Sequence, residues 1–355
     1  MSRAAQAMVF RGAGTPFEAA EIPLPSRLAP GEVLARIRLA TLCGSDLHTL
    51  DGRRHGPVPC VLGHEAVGVV EASARPGVEV GARVTWTLAD SCGCCSACAE
   101  WDLPQKCEKL FKYGHAGLDS GSGLNGCYAS HIVLRPGTAV LAVPESLPDS
   151  WVAPANCALA TIACALETVP KPCRTALVQG GGLLGIYAVA WLRSLGVERV
   201  FCADLSAERL ASVEAFGGIP LPADPGSWAA SKARLMAATG GKGADLAIEV
   251  AGVSAVVPEG VACLRPGATY VWAGMVHPET RLDLTGEAVI RRCLTIRGFH
   301  NYAPRHLAAS LGFLAKAGKA LPFDRLVSPA LPLGSLEEAF ALTRTRRWQR
   351  VAVAP

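Results

Sequence analysis

The chain has 355 residues, of which 50% are hydrophobic and 18% are charged, and its formal net charge is +4. This composition excludes a disordered chain, and the length is typical of two domains. The densest basic run, TRTRRWQR at 343–350, is short, so no nucleic-acid partner is expected.

No export signal opens the sequence, and we expect a cytoplasmic protein. The apolar stretch 175–197 is interrupted by glycines and contains Gln179 and Arg193, so it is interpreted as a buried strand and helix. No membrane partner is therefore expected. The fourteen cysteines are expected to be reduced thiols and metal ligands, because disulfides belong to exported proteins.

The first part of the chain is predicted to be a mostly β domain with long loops, because it is rich in glycine, proline and short β-prone runs. Those runs are EVLARIRLA (32–40), EAVGVVEA (65–72), ARVTWTL (82–88) and SHIVLR (130–135).

From residue 158 the pattern changes to alternating strands and helices, which predicts a parallel, doubly wound sheet. The strands are predicted at 175–180, 199–205, 244–252 and 268–276, and the helices at 183–196, 206–217 and 257–267. A later helix at 304–318 and a final strand, RVAVA at 350–354, are predicted to return to the first domain.

A glycine turn between the first of these strands and its helix predicts a dinucleotide site, because backbone amides can approach a pyrophosphate there. The predicted binding residues are Gly180, Gly182, Leu184 and Gly185. Asp204 follows 24 residues after Gly180, near the position of a ribose-binding acid, which favours NAD over NADP. Arg209 leaves NADP open as the less favoured alternative, since it offers a positive charge to a 2′-phosphate.

A cysteine-rich lobe at about residues 90–110 predicts a structural zinc site. Four thiolates with spacings x2, x2 and x8 can enclose a tetrahedral Zn²⁺ with no open position. The predicted ligands are Cys92, Cys95, Cys98 and Cys107. Cys94 remains the alternative to Cys95 as the second ligand.

A second, catalytic zinc site is predicted from TLCGSDLHTLDGRRHGPVPCVLGHE at 41–65. Cys43 and His64 lie on separate loops, and Cys157 at the domain junction is the expected third ligand. A Cys₂His set leaves the fourth position for substrate, where zinc acts as a Lewis acid. Zn²⁺ has no redox chemistry of its own, so a nicotinamide cofactor is needed to carry the electrons. Asp46 is interpreted either as orienting a ligand or as forming a turn.

The order CGSDLH, GHE, cysteine lobe, junction cysteine and GxGxxG resembles the zinc-dependent medium-chain dehydrogenase/reductase family of the alcohol dehydrogenase type, over essentially the whole chain. The resemblance implies an α/β protein with a GroES-like, mostly β catalytic domain at 1–157 and 299–355. It implies an NAD-binding Rossmann domain at 158–298. Reversible oxidation of an alcohol to an aldehyde or ketone, two zinc ions per chain, and a homodimer or homotetramer are also implied.

The resemblance also implies roles for residues around the catalytic zinc. Glu65 would be a carboxylate that approaches the metal during ligand exchange. Ser45 would bond the reacting oxygen, and His48 would pass its proton to solvent. Arg350 would bind the cofactor pyrophosphate. Three points bear on these roles. The last loop of the cysteine lobe is x8 where relatives usually have x7, which bears on the lobe geometry, and Gly44 stands where some relatives carry a phosphate-binding arginine. Some polyol-type relatives use a glutamate as the third zinc ligand, which bears on Cys157.

The substrate prediction rests on two stretches, LPQKCEKLFKYGH (103–115) and CALATIACALE (157–167), which resemble a phosphonate-associated subgroup. They imply a hydroxy-phosphonate or another small polar alcohol, with Lys112, Tyr113 and His115 binding the anionic group. The alternatives are a polyol or sorbitol-type dehydrogenase and a zinc-free quinone or enone reductase of the same fold.

Overall fold

The computed structural model describes residues 3–167, 169–274 and 281–355. It divides into two compact units. The first comprises the chain up to Cys157 together with Ala303–Gly318 and Phe323–Pro355, and the second comprises Ala158–Tyr302 and Lys319–Pro322. The second boundary thus lies at 302/303, four residues beyond the expected 298/299, and the short segment 319–322 belongs to the second unit.

The elements of the first unit up to Cys157 follow the β-prone runs of the sequence. They are β1 (Ala4–Phe10), β2 (Glu18–Pro23), β3 (Val33–Thr41), α1 (Gly44–Leu50), β4 (Cys60–Val61), β5 (Glu65–Ser73), β6 (Arg83–Trp86), β7 (Ala89–Asp90), α2 (Ser96–Ala99), β8 (Phe111–Lys112), β9 (His131–Leu134), β10 (Val140–Ala142) and α3 (Asp149–Val152).

The second unit alternates helices and strands. Its elements are α4 (Ala158–Leu166), β11 (Thr175–Gln179), α5 (Leu183–Ser194), β12 (Arg199–Asp204), α6 (Ala207–Ala215), β13 (Ile219–Pro222), α7 (Trp228–Ala238), β14 (Ala244–Glu249), α8 (Val256–Ala262), β15 (Leu264–Trp272), α9 (Gly286–Ile290) and β16 (Thr295–Gly298). The chain then returns to the first unit with α10 (Pro304–Ala317), β17 (Val327–Pro332), α11 (Leu336–Arg344) and β18 (Arg350–Ala354).

The first unit is built on a seven-stranded sheet in the order β10-β6-β5-β3-β18-β17, with β9 also paired to β3, and on a three-stranded sheet, β2-β1-β4. Apolar side chains from both sheets form one core, whose largest members are Trp86, Tyr113, Tyr128 and Phe340. The prediction of a mostly β GroES-like unit is confirmed.

The second unit contains one six-stranded sheet in the order β13-β12-β11-β14-β15-β16, with every pair parallel. The direction of winding reverses between β11 and β14, and the carboxyl ends of strands at such a point are where doubly wound sheets bind nucleotides. The Rossmann prediction is confirmed. Within the described ranges, no helix has the length and apolar character needed to cross a membrane.

Several predicted boundaries are wrong by a few residues, and the largest disagreement lies between α8 and β15. The helix expected at 257–267 ends at Ala262, and the strand expected from 268 begins at Leu264. Leu264 is buried and pairs with Ala244 of β14, so packing in the sheet overrides the local helical pattern. The strand ends at Trp272, and residues 275–276 of the predicted strand lie outside the described residues.

Candidate functional site

The predicted catalytic ligands lie together in the first unit. One ligand atom from each of Cys43, His64, Glu65 and Cys157 lies within 4.8 Å of the others, and the Sγ atoms of Cys43 and Cys157 are 4.0 Å apart. A disulfide would bring the sulfurs to about 2.05 Å. Two thiolates on a tetrahedral zinc, with Zn–S bonds of about 2.3 Å, have sulfurs roughly 3.8 Å apart. This donor set therefore fits zinc.

Strand pairing explains why these distant residues meet. β3 and β5 are antiparallel, and Thr41 at the end of β3 lies opposite Glu65 at the start of β5. Cys43 follows β3 by two residues and His64 precedes β5 by one, so both emerge at the same edge of the sheet. The amide of buried Asn156, next to Cys157, donates to the backbone carbonyl of His64, at 3.1 Å.

Asp46 connects the helix after Cys43 to the histidine ligand. Its buried Oδ2 accepts hydrogen bonds from the Cys43 backbone N–H, at 3.0 Å, and from the Tyr128 hydroxyl, at 2.8 Å. Its Oδ1 lies 3.5 Å from His64 Nδ1, which leaves Nε2 of that ring for a metal. Asp46 thus caps the turn after Cys43 and lies beside the His64 ring, and its role in orienting that ligand stays a prediction.

Glu65 forms a buried ion pair with Arg350, which sequence reasoning missed. Arg350 Nε lies 2.8 Å from Glu65 Oε2 and Nη2 lies 2.9 Å from Oε1, while Nη2 is also 3.6 Å from Cys43 Sγ. The Thr41 hydroxyl donates to the same carboxylate at 2.6 Å. Arg350 thus neutralises a buried carboxylate and faces a ligand sulfur. Its contact with a cofactor pyrophosphate stays a prediction.

These charges shift the pKa values of the ligands. The hydrogen bond from Cys157 holds the pKa of Cys43 well below its usual range, and the charges of Arg350 and His64 act in the same direction against burial. Burial lowers the pKa of His64, but Asp46 and Cys43 outweigh it and raise the pKa to about 10. Because a metal requires a neutral imidazole and thiolates, metal binding must release protons.

The predicted proton path begins on α1. Ser45 and His48 are both half-buried and are three residues apart, so they lie on the same face of this helix. α1 starts directly after Cys43, which places both side chains near the metal ligands. Their roles in proton transfer stay predictions.

The cysteine lobe forms a second compact ligand set. The Sγ atoms of all four predicted ligands lie within 4.8 Å of one another. Cys95 Sγ is 3.5 Å from Cys98 Sγ and 3.9 Å from Cys107 Sγ, whereas Cys94 is exposed and stands outside the set. Backbone N–H groups of Cys92 and Lys109 donate to Cys107 Sγ, at 3.2 and 3.3 Å. The geometry selects Cys95 over Cys94 and fits a closed tetrahedral site.

The glycine turn of the second unit has the geometry of a phosphate cradle. Gly180 has a φ of +113°, and a Cβ there would lie 2.9 Å from the Ala251 nitrogen. A Cβ on Gly185 would collide with the carbonyl oxygen of Gly180. A Cβ on Gly182, at the N-terminus of α5, would meet open space, so the backbone is accessible there. Leu184 lies in the first turn of the same helix. The turn therefore fits a pyrophosphate.

Asp204 lies at the end of β12 beside this turn. Its Oδ2 accepts a hydrogen bond from the Gly181 N–H at 2.7 Å, and its Oδ1 accepts one from the Ser206 N–H at 2.8 Å. Arg209 Nη1 lies 3.6 Å from Oδ2. The acid and the arginine that the sequence singled out for the ribose end of the cofactor thus form one pair.

The predicted substrate residues do not all lie together. Tyr113 is fully buried, and its hydroxyl contacts the Thr138 hydroxyl at 2.6 Å and accepts the Arg135 N–H at 2.8 Å, so its predicted contact with substrate is wrong. Lys112 is half-buried on β8. The His115 ring is 5.6 Å from the ring of His64, between centroids.

Comparisons with known proteins agree with this geometry. The family described as "Alcohol dehydrogenase GroES-like domain" matches residues 29–145, and "Zinc-binding dehydrogenase" matches residues 184–316. A geraniol dehydrogenase of Castellaniella defragrans is 31% identical, with 91% of each chain covered. A probable D-xylulose reductase A of Emericella nidulans is 27% identical, covering 94% of this chain and 91% of that one. A solved alcohol dehydrogenase structure from Thermotoga maritima has a TM-score of 0.94 at 29% identity, covering 99% and 100%.

The chain belongs to the zinc-dependent medium-chain dehydrogenase/reductase family of alcohol dehydrogenases. It is therefore an oxidoreductase, and the family, the fold class and the enzyme class expected from the sequence are confirmed.

Replacing Asp46 tests its role in holding His64. Asp46→Asn removes the charge beside His64 Nδ1, and we expect zinc affinity at the catalytic site to fall about 10- to 100-fold with the fold retained. Zinc content after dialysis against graded chelator measures this. Asp51→Asn, at the other end of α1, is the control and should retain zinc as wild type does. Equal retention by the two variants would contradict the assignment.

Proposed function

We propose that the protein catalyses the zinc-dependent, NAD-linked, reversible oxidation of a small polar alcohol to an aldehyde or ketone. The observation that carries the proposal is the convergence of Cys43, His64 and Cys157 in one unit, with a sulfur separation of 4.0 Å. Three such ligands leave a coordination position for substrate. A zinc-free reductase would have no need for these three ligands, so the alternative does not explain why they lie together.

The chain's residues have separable roles in the proposed reaction. When bound, zinc supplies a Lewis acid and the nicotinamide accepts the hydride. The Ser45 hydroxyl receives the proton of the alcohol, and His48 passes it to solvent. Asp46 fixes the orientation of His64, and Arg350 offsets the negative charge of Glu65 and of Cys43. The alcohol thus loses one proton and one hydride and becomes a carbonyl compound.

NAD is the proposed carrier because a carboxylate stands where the ribose would be recognised. Asp204 can accept hydrogen bonds from ribose hydroxyls and repels a 2′-phosphate. Its contact with Gly181 holds it beside the glycine turn. Arg209 is the feature that favours NADP, but it lies against Asp204 and is partly neutralised by it.

Further proposals concern metal content, assembly and cell compartment. We propose two zinc ions per chain, one in each ligand set. A homodimer or homotetramer is proposed from the family, and β16 is an edge strand suited to pairing.

All fourteen cysteines are free thiols, which favours the reducing cytoplasm. The similarity to a probable D-xylulose reductase supports a polyol as the alternative substrate.

Cys43→Ser tests the catalytic metal. We expect zinc content to fall by one ion per chain and kcat/KM to fall by about 10³-fold or more, because Lewis-acid assistance is lost. Metal analysis and NAD reduction with a panel of alcohols measure the two effects. Cys60→Ala alters another buried cysteine of the same unit and should keep both zinc ions. Turnover near wild type in Cys43→Ser, with the fold intact, would refute the proposal.

The lobe cysteines allow a paired comparison. Cys95→Ser removes one of the four clustered thiolates, so one zinc per chain should be lost and the melting temperature should drop by several degrees. Cys94→Ser changes the exposed thiol beside it and should leave zinc content unchanged. Metal analysis measures the zinc content and thermal unfolding the melting temperature. Zinc loss in Cys94→Ser alone would reverse the ligand assignment.

Asp204→Ser tests the choice of cofactor. Loss of the carboxylate removes hydrogen bonds to the ribose and the repulsion of a 2′-phosphate, so the ratio of kcat/KM for NAD to that for NADP should fall about tenfold or more. Steady-state kinetics with both cofactors gives this ratio. Asp224→Asn, elsewhere in the second unit, should leave it unchanged. An unaltered ratio in Asp204→Ser would remove the basis for preferring NAD.

A further inference from the structure

Basic side chains from two separate segments border the catalytic ligand set. Lys112 and His115 follow the cysteine lobe, and Arg54 follows α1. Gly114 has a φ of +73°, and a Cβ there would lie 2.5 Å from the carbonyl oxygen of Gly63. The segment that carries Lys112 and His115 therefore packs directly on the residue before His64.

Arg54 comes from the segment that follows α1, and its charge acts on both Lys112 and His115. Its backbone N–H donates to the carbonyl of His48 at 3.1 Å, which fixes it at the end of the helix that begins after Cys43. Arg54 and Lys112 are both half-buried. Within the described part of the chain, neither side chain forms an ion pair or hydrogen bond.

The three basic groups affect one another's pKa values. Burial lowers the pKa of Lys112 to about 8, and the charge of Arg54 acts in the same direction. Burial also holds the pKa of His115 well below its usual value, with further lowering by His64, Arg54 and Lys112. The thiols of Cys43 and Cys157 oppose the shift of Lys112. The charge of Arg54 acts on both Lys112 and His115, so the three groups lie close to one another.

We propose that Arg54, Lys112 and His115 form an anion-binding subsite that selects alcohols carrying an oxyanion group, such as a phosphonate, phosphate or carboxylate. The proposal rests on the proposed zinc-dependent alcohol oxidation, because the subsite borders that ligand set. Partly desolvated cations without a counter-ion are costly, and a bound anion offsets the cost. Arg54 presents a planar fork of donors, Lys112 a point charge, and the His115 ring an N–H donor.

The cofactor pyrophosphate is the other anion that such a cluster could meet, and kinetics separates the two. If the cluster serves the substrate, its variants change KM for the substrate and leave KM for NAD alone. If it serves the cofactor, KM for NAD rises with charged and uncharged alcohols alike. That second result would overturn the proposal.

The experiment compares 2-hydroxyethylphosphonate, 3-hydroxypropanoate and uncharged 1,4-butanediol as substrates of the zinc-loaded enzyme. We expect Lys112→Met and Arg54→Gln each to lower kcat/KM for at least one of the two anionic alcohols about tenfold or more, and to change that for butanediol less than about twofold. Lys316→Met and Arg53→Gln are the matched controls and should change neither. Equal losses for charged and uncharged alcohols would contradict the proposal.

A binding measurement keeps the test independent of turnover. Calorimetric titration of methylphosphonate into zinc-loaded protein should give a Kd that rises about tenfold in Lys112→Met and in Arg54→Gln, but not in the controls. Unchanged affinity in both variants would overturn the subsite. Absence of turnover with every alcohol, together with intact methylphosphonate binding, would instead refute the proposed function and leave the subsite standing.

Discussion

The antiparallel pairing of β3 with β5 is the constraint on which the catalytic ligand set depends. The register that places Thr41 opposite Glu65 brings the chain after one strand and the chain before the other to the same edge. The proximity of Cys43 and His64 is a direct consequence of this register. β18 pairs with the same end of β3, and this brings Arg350 to the ligand set. A slip of one residue would turn Glu65 to the other face of the sheet, so burial of that face fixes the site.

Charge balance gives the same site a second constraint. Asp46, Glu65 and the ligand thiols are close together in the core of the first unit; Arg350 contacts Glu65 and Cys43, and His64 lies beside Asp46. Carboxylates and thiolates without compensation would be costly there. Asp46 and Cys43 outweigh burial and raise the pKa of His64 to about 10, and burial raises that of Glu65 to about 7. A bound divalent cation would add positive charge beside the same groups. Metal binding and stability of this region are therefore coupled.

The sequence predicted those parts of the site that are local. The cysteine lobe, the glycine turn and the two loops with Cys43 and His64 each carry their chemistry within a short stretch, and the parallel sheet follows from its alternating pattern. The contacts it missed join residues far apart in the chain. Arg350 and Glu65 are 285 positions apart, and Tyr128 and Asp46 are 82 apart. Only the folded sheet brings such pairs together, and no short motif encodes them.

Tyr113 shows how local grouping misleads even within one stretch. Lys112, Tyr113 and His115 are close in sequence, but neighbouring residues of an extended chain point to opposite sides. Phe111 and Tyr113 share the core side, with ring centroids 5.4 Å apart, and this leaves Lys112 on the side of the metal ligands. Arg54, from a different loop, acts on Lys112 through its charge. Selectivity for an anionic substrate would therefore depend on side chains from two separate segments, β8 and the loop after α1.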